Sequence, residues 1–283
     1  MKICRFNENR VGVVEGEVIR DVTDAVKGKL QADWPPPRED AFIARLPKLR
    51  PLMEKAARSA PAIPLASARL LSPVAWAPKI VAAPVNYKKH VEEAVADAGI
   101  HYGSAVKDIK TAGLFLKSPT SLIGPSSPVC VRFPDRRNDH EIELGVIIGR
   151  RAERVRREDA LDYVAGYAIA LDMTVRGPED RSFRKSPDSY TVLGPWMVTA
   201  DEFGDPSGVG LKLSVNNDVR QQANTRDLII DIPGLIEFAT EWYTLHPGDV
   251  LISGTPEGVG PVVAGDVIHA EIEKIGRMSV NVE

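Results

Sequence analysis

Cysteine is nearly missing from this chain of 283 residues: Cys4 and Cys130 are the only two. Two thiols so far apart exclude a disulfide framework and suit a reducing compartment such as the cytosol. A surplus of charge is missing too, with 36 basic against 39 acidic residues and a formal charge of −3. The densest basic run, Arg150 to Arg157, is broken by Glu153 and followed by Glu158 and Asp159. Such alternation is a solvated surface, so nucleic acid is excluded as a partner. Long apolar runs are absent as well. None approaches the ~18 residues a membrane helix needs, and MKICRFNENRVGVVEG at the start has no apolar signal core. These absences lead us to expect a cytoplasmic protein with neither nucleic-acid nor membrane partners. Nor does any internal repeat point to a solenoid.

What is present is an ordinary globular balance, 43% hydrophobic and 27% charged, on a chain long enough to bury a sizeable core. Residues 1 to 28 alternate apolar and polar positions, which predicts short strands. Residues 39–60 carry a helical pattern interrupted by Pro47 and Pro51. The Ala- and Pro-rich stretch from Pro61 to Pro78 reads as a linker. A small N-terminal module with its linker over 1–77, and a main domain over 78–283, is the expected division. In the main domain, short β-rich segments fall at 80–85, 114–117, 141–148, 167–172, 196–199, 211–216, 250–253, 267–272 and 279–282. Helical patterns are fewer, at 90–98, 157–164 and 232–242. Strands in such excess argue against a doubly wound sheet and for a β-rich α+β roll or sandwich with peripheral helices.

Chemistry concentrates first in Asp139-His140-Glu141-Ile142-Glu143-Leu144. Alternation along a strand projects Glu141 and Glu143 to one side, about 7 Å apart, while Ile142, Leu144 and Val146 fill the other. Paired carboxylates leading into so apolar a strand are either solvated at an exposed face or bridged by a hard divalent cation such as Mg²⁺ or Mn²⁺. His140-Glu141 is not a zinc-protease signature, because position 144 is Leu where the second His is required. Asp172 closes the apolar run from Gly166 to Leu171, so it either caps the following turn or is paired or metal-bound. Arg176, four residues on, could neutralise Asp172 or grip a substrate carboxylate in a bidentate fork.

His90 and Glu93 stand three apart on a segment of helical pattern, either an incidental surface pair or an imidazole oriented by a carboxylate. Lys117 and Lys185 each sit beside turn chemistry. Gly254-Thr255-Pro256-Glu257-Gly258-Val259-Gly260 is a glycine-rich loop without the Gly-Lys-Ser/Thr of a P-loop, which leaves binding of a small carboxylate by its backbone as an option.

Seven blocks, in order over residues 80 to 283, resemble the fumarylacetoacetate hydrolase family and in particular its single-domain bacterial branch. They are NYKKHVEE, FLKSPTSLIGP, HEIELGVIIG, GYAIALDMTVR, LGPWMVT, TLHPGDVLISGTPEGVG and AGDVIHAEIEKIG. The resemblance implies a mixed β-sandwich roll, a homodimer, and Mg²⁺ or Mn²⁺ held by Glu141, Glu143 and Asp172. It implies a catalytic His90–Glu93 dyad on a lid helix, and Lys185 near the metal as an oxyanion stabiliser. Arg176 and Thr255 match substrate-contacting positions, and Lys117 a lysine at the site's edge. The implied activity is hydrolysis of a C–C bond in an acylpyruvate-type 2,4-dioxo acid from aromatic ring cleavage. Isomerase, hydratase or decarboxylase action on a related 2-oxo acid is the alternative within the family. A catalytically silent metabolite-binding protein is the alternative of another class. One departure bears on that choice: Glu179 stands where the family often carries a glutamine able to assist an oxyanion.

Overall fold

The computed structural model describes residues 1–30, 38–103 and 105–283. The chain opens on a meander of β1 (Lys2–Phe6), β2 (Arg10–Glu15) and β3 (Val18–Asp21), then helices α1 (Thr23–Lys27) and α2 (Ala41–Ala57). Strands β4 (Ala62–Pro64), β5 (Leu70–Leu71) and β6 (Ile80–Ala82) follow, then helices α3 (Lys88–Ala96), α4 (Ala98–His101) and α5 (Ile109–Ala112). Next come β7 (Phe115–Lys117), β8 (Leu122–Ile123), β9 (Asn138–His140), β10 (Ile142–Ile148), β11 (Val164–Asp172) and β12 (Thr174–Val175). Helix α6 (Arg181–Arg184), β13 (Thr191–Thr199) and α7 (Ala200–Phe203) precede the hairpin of β14 (Gly210–Val215) and β15 (Asp218–Asn224). Helix α8 (Ile232–Trp242), β16 (Val250–Ile252), β17 (Gly260–Pro261), β18 (Val267–Ile272) and β19 (Gly276–Asn281) complete the fold.

A 12-stranded sheet organises the molecule, in the order β4-β3-β2-β1-β13-β11-β10-β16-β6-β7, with β5 and β8 pairing at its sides. Sheets β12-β9-β17 and β15-β14-β18-β19 flank it among the described residues. Every residue of β10 and β13 is buried, because both faces of the central strands are covered. One core collects Ile142, Leu144, Val146 and Leu171; the other collects Ile147, Ala168, Ala170 and Leu193 beneath α2. The fold is therefore β-rich α+β. Among the described residues no helix is long and apolar enough to cross a membrane.

Three local expectations need correction. Helix α2 runs unbroken through Pro47 and Pro51, with Asp40 capping it through bonds from the Phe42 and Ile43 N–H groups. Each proline costs roughly 3 kcal/mol in a helix interior. Six buried side chains, Phe42, Ile43, Leu46, Leu49, Met53 and Ala57, offset that, since a large apolar one contributes about 1.5–3 kcal/mol. Both prolines are exposed, where the missing N–H and the ring disturb packing least. The expected linker over 61–78 instead contains β4 and β5, paired with β3 and β1. The segment 157–164, expected as a helix, is helical over Arg157–Tyr163 but in the tighter 3-10 form and not as an α-helix. Strand β1 pairs with β13, so the sheet is continuous across the expected division at 77/78.

Candidate active site

Pairing register assembles the acidic cluster. Ile142 lies opposite Leu171 and Glu143 opposite Ala170 on β10 and β11. One step further, the Asp172 N–H donates to the Glu141 carbonyl at 2.9 Å, so these two residues face each other across the strands. Alternation keeps Glu143 on the same side as Glu141, with the small Ala170 opposite it. One oxygen from each of Glu141, Glu143 and Asp172 lies within 4.8 Å of the others, and all three residues are buried.

Three cations brace this cluster. Lys185 Nζ donates to Glu141 Oε2 at 2.8 Å, Asp172 Oδ2 at 2.7 Å and Thr174 Oγ1 at 2.6 Å. Lys117 Nζ donates to Asp172 Oδ1 and, at 2.8 Å, to the Tyr190 carbonyl. Arg176 donates to Glu141 Oε1 at 3.0 Å and to Asp139 Oδ2 at 2.7 Å. Burial alone would raise the Glu141 carboxyl, but Lys185 and Arg176 outweigh it and hold that group far below the usual carboxylate range. Glu143 goes the other way. Burial, then Asp172 and Glu141, push its carboxyl well above the ordinary value. Its hydrogen bond among the described residues comes from the Gly254 N–H, at 2.6 Å to Oε2, with no side-chain cation. A buried all-oxygen set whose third member lacks a counter-charge is what a hard divalent ion satisfies, so these residues fit a metal centre.

On α3, His90 Nδ1 and Glu93 Oε2 are 2.8 Å apart, and Glu93 Oε1 accepts from the Gly258 N–H at 2.8 Å. Gly258 has φ +90°, and a Cβ there would lie 1.9 Å from the Arg220 carbonyl, so the turn carrying this donor requires glycine. Thr255 Oγ1 donates to the Ile142 carbonyl at 2.9 Å and accepts from Gln221 Nε2 at 2.8 Å.

A cavity of about 600 Å³ brings His90, Glu141, Asp172, Arg176, Lys185 and Thr255 to one wall. Glu143, Glu93 and Lys117 lie behind that lining, through their bonds to Gly254, His90 and Asp172 respectively. Lys117 is not at the edge of the site as expected; its side chain is fully enclosed beneath Asp172. Arg176 pairs with Asp139 and Glu141 and not with Asp172. Glu179 lines the cavity with its carboxylate gripped by both terminal nitrogens of Arg136, at 3.0 and 2.8 Å.

Sequence reasoning missed Asp139, Thr174 and Gln221. Asp139 opens the acidic segment, and its place there was the available signal. Gln221 is the one buried residue of the polar edge strand β15, and nothing in its neighbourhood marks it.

The family model for the C-terminal domain of fumarylacetoacetate (FAA) hydrolase matches residues 79–283. The chain belongs to the fumarylacetoacetate hydrolase family. It is 55% identical over 282 residues to a maleylpyruvate hydrolase of Aquipseudomonas alcaligenes, covering 99% of this chain and 98% of the relative. A crystal structure of maleylpyruvate hydrolase from Sphingobium sp. SYK-6, in complex with manganese(II) ion and pyruvate, matches with a TM-score of 0.85 at 44% identity. That match covers 100% of this chain and 98% of the other. A 2,4-didehydro-3-deoxy-L-rhamnonate hydrolase from Sphingomonas sp. (strain SKA58) is 33% identical, over 98% of this chain and 94% of the relative.

Proposed function

We propose that this chain hydrolyses maleylpyruvate, or an acylpyruvate diacid close to it, to pyruvate and a dicarboxylic acid during breakdown of aromatic ring-cleavage products. The carrying observation is that the buried cluster of Glu141, Glu143 and Asp172 and the His90–Glu93 pair adjoin one cavity, which His90, Glu141 and Asp172 line. The 55% identity to a maleylpyruvate hydrolase supports the choice of substrate. Glu141, Glu143 and Asp172 would hold Mg²⁺ or Mn²⁺, which supplies Lewis-acid polarisation of the pyruvoyl oxygens.

The remaining steps belong to the chain. Glu93 accepts from His90 Nδ1 and leaves the other ring nitrogen free to take a proton from water. The resulting hydroxide bonds to the carbonyl carbon distal to the pyruvoyl end. The bond from that carbon to the methylene breaks, its electron pair stays on the methylene as pyruvate enolate, and a proton completes pyruvate. Lys185 on the cavity wall stabilises the developing negative charge. Arg176 and Thr255 orient the substrate's pyruvoyl end. Lys117, enclosed beneath Asp172, holds that carboxylate in place and does not touch substrate.

Incubating the protein with maleylpyruvate and Mn²⁺ or Mg²⁺, with products followed by NMR, tests this reading. Equimolar maleate and pyruvate are expected, with loss of turnover after chelation and recovery on adding metal. An isomer of unchanged mass, released CO₂, or turnover that persists without metal would overturn it.

We also assign the working form as a cytoplasmic homodimer. An apolar groove of about 960 Å³, including Leu116, Pro119, Phe133, Val175 and Phe183, supports association, since patches of this kind mark interfaces. Sedimentation should give twice the 30.9 kDa chain mass, and Phe183→Asp should shift it toward the monomer.

A further inference from the structure

Helix α6 places on the cavity wall two arginines that the proposed mechanism leaves unused. Arg181 and Arg184 are three apart, hence on one face of the turn, and both line the cavity. Phe183 between them is 74% exposed, in the apolar groove outside. Burial lowers both guanidinium groups from arginine's usual value.

Among the described residues, neither arginine forms a salt bridge. Arg184 donates to the Glu179 carbonyl at 3.2 Å and, weakly, to the Val175 carbonyl at 3.5 Å. Arg181 makes no side-chain hydrogen bond among the described residues. The neighbouring carboxylates are already engaged. Arg136 grips Glu179, and Asp180 Oδ1 caps the Ser182 N–H at 2.8 Å. Glu141 and Asp172 are held by Lys185, Arg176 and Lys117. Two partly desolvated cations facing a cavity whose lining carboxylates are already engaged are costly unless a ligand brings the counter-charge. The metal-binding carboxylates suit one end of an acylpyruvate, and a carboxylate at the other end suits the guanidinium forks.

We propose that Arg181 and Arg184 form a subsite for the substrate's distal carboxylate, so that the enzyme selects acylpyruvates carrying a second acid group. This rests on the acylpyruvate reading and adds how the acyl end is recognised. Acetylpyruvate keeps the pyruvoyl end and lacks the distal carboxylate, which makes it the comparison substrate.

The experiment measures kcat and KM on maleylpyruvate and acetylpyruvate for the wild type, Arg181→Met, Arg184→Met and the two Lys variants. Loss of a charge-assisted pair should lower the diacid-to-monoacid ratio of kcat/KM by roughly 10- to 100-fold. Lysine should restore part of that ratio. Calorimetric titration with maleate reads the same subsite without turnover, and thermal melts confirm that the variants fold. Maleate affinity should fall with each Met variant. An equal loss on both substrates, or maleate affinity unchanged in the Met variants, overturns the subsite. Should the wild type turn over neither acylpyruvate while maleate binding still depends on both arginines, the reaction fails and the diacid subsite stands. Should turnover occur with a ratio indifferent to both arginines, the reaction stands and the subsite falls.

Discussion

At the scale of single residues, Glu143 is where the electrostatics are least settled without a metal. Its carboxyl is raised by burial and by Asp172 and Glu141, so the folded protein favours the protonated form. A raised carboxyl contributes stability below its unfolded value, and that contribution is lost as pH rises through the folded one. In metal-free protein, Glu143→Gln should therefore melt progressively higher than the wild type as pH climbs above the ordinary carboxylate range. Added Mn²⁺ should raise the wild-type Tm far more than the variant's, with affinity increasing with pH because binding displaces the Glu143 proton. Activity of the variant should fall by roughly 10²-fold or more. A pH-independent gap between the two melting curves would refute this account.

Lys117 poses the opposite problem. Burial pushes its ammonium down and Asp172 pulls it back up. Removing one partner of a buried pair costs about 3–5 kcal/mol, and Lys117→Met should show that loss in urea unfolding of the metal-free protein. A loss below about 1 kcal/mol, the worth of an exposed pair, would show that Asp172 does not rely on it.

At the scale of elements, strand alternation placed Glu141 and Glu143 on one side, and it is a local property of two-residue period. Helical spacing likewise brought His90 within reach of Glu93 on α3. The continuity of α2 was not legible, since two prolines are a local signal while the buried stripe that outweighs them acts through tertiary contact. Restoring the N–H with Pro47→Ala should then stabilise the protein by about 1–3 kcal/mol, less what is returned by the freer unfolded chain. The glycine loop after β16 makes the complementary case. Gly258→Ala should destabilise by about 1–3 kcal/mol, from its positive φ and the Arg220 carbonyl at 1.9 Å from the added Cβ. Because Glu93 accepts from this residue's N–H, kcat should drop more than KM changes.

At the scale of the whole molecule, the fold places the two cysteines in different surroundings, Cys4 on β1 and Cys130 in the segment between β8 and β9. Burial lifts the Cys4 thiol to about 12, whereas Cys130 is half-buried. A thiol stays neutral below its pKa, so native protein at pH 8 should release one equivalent in a thiol titration and two after unfolding. Two equivalents in the native state would mean that the sheet opens around β1.

The sequence alone determined what short-range periodicity can encode: β-rich composition, the shared face of Glu141 and Glu143, the spacing of His90 and Glu93, and the ordered blocks of the family. Only the tertiary structure decided which residues from distant segments meet. It set Asp172 opposite Glu141, enclosed Lys117 beneath Asp172, brought Gln221 from an edge strand to Thr255, and left Arg181 and Arg184 facing the cavity without carboxylate partners among the described residues. The reason is physical. Alternation and helical pitch are properties of neighbouring residues, whereas strand order, register between remote segments and burial of charge come from packing the whole chain at once.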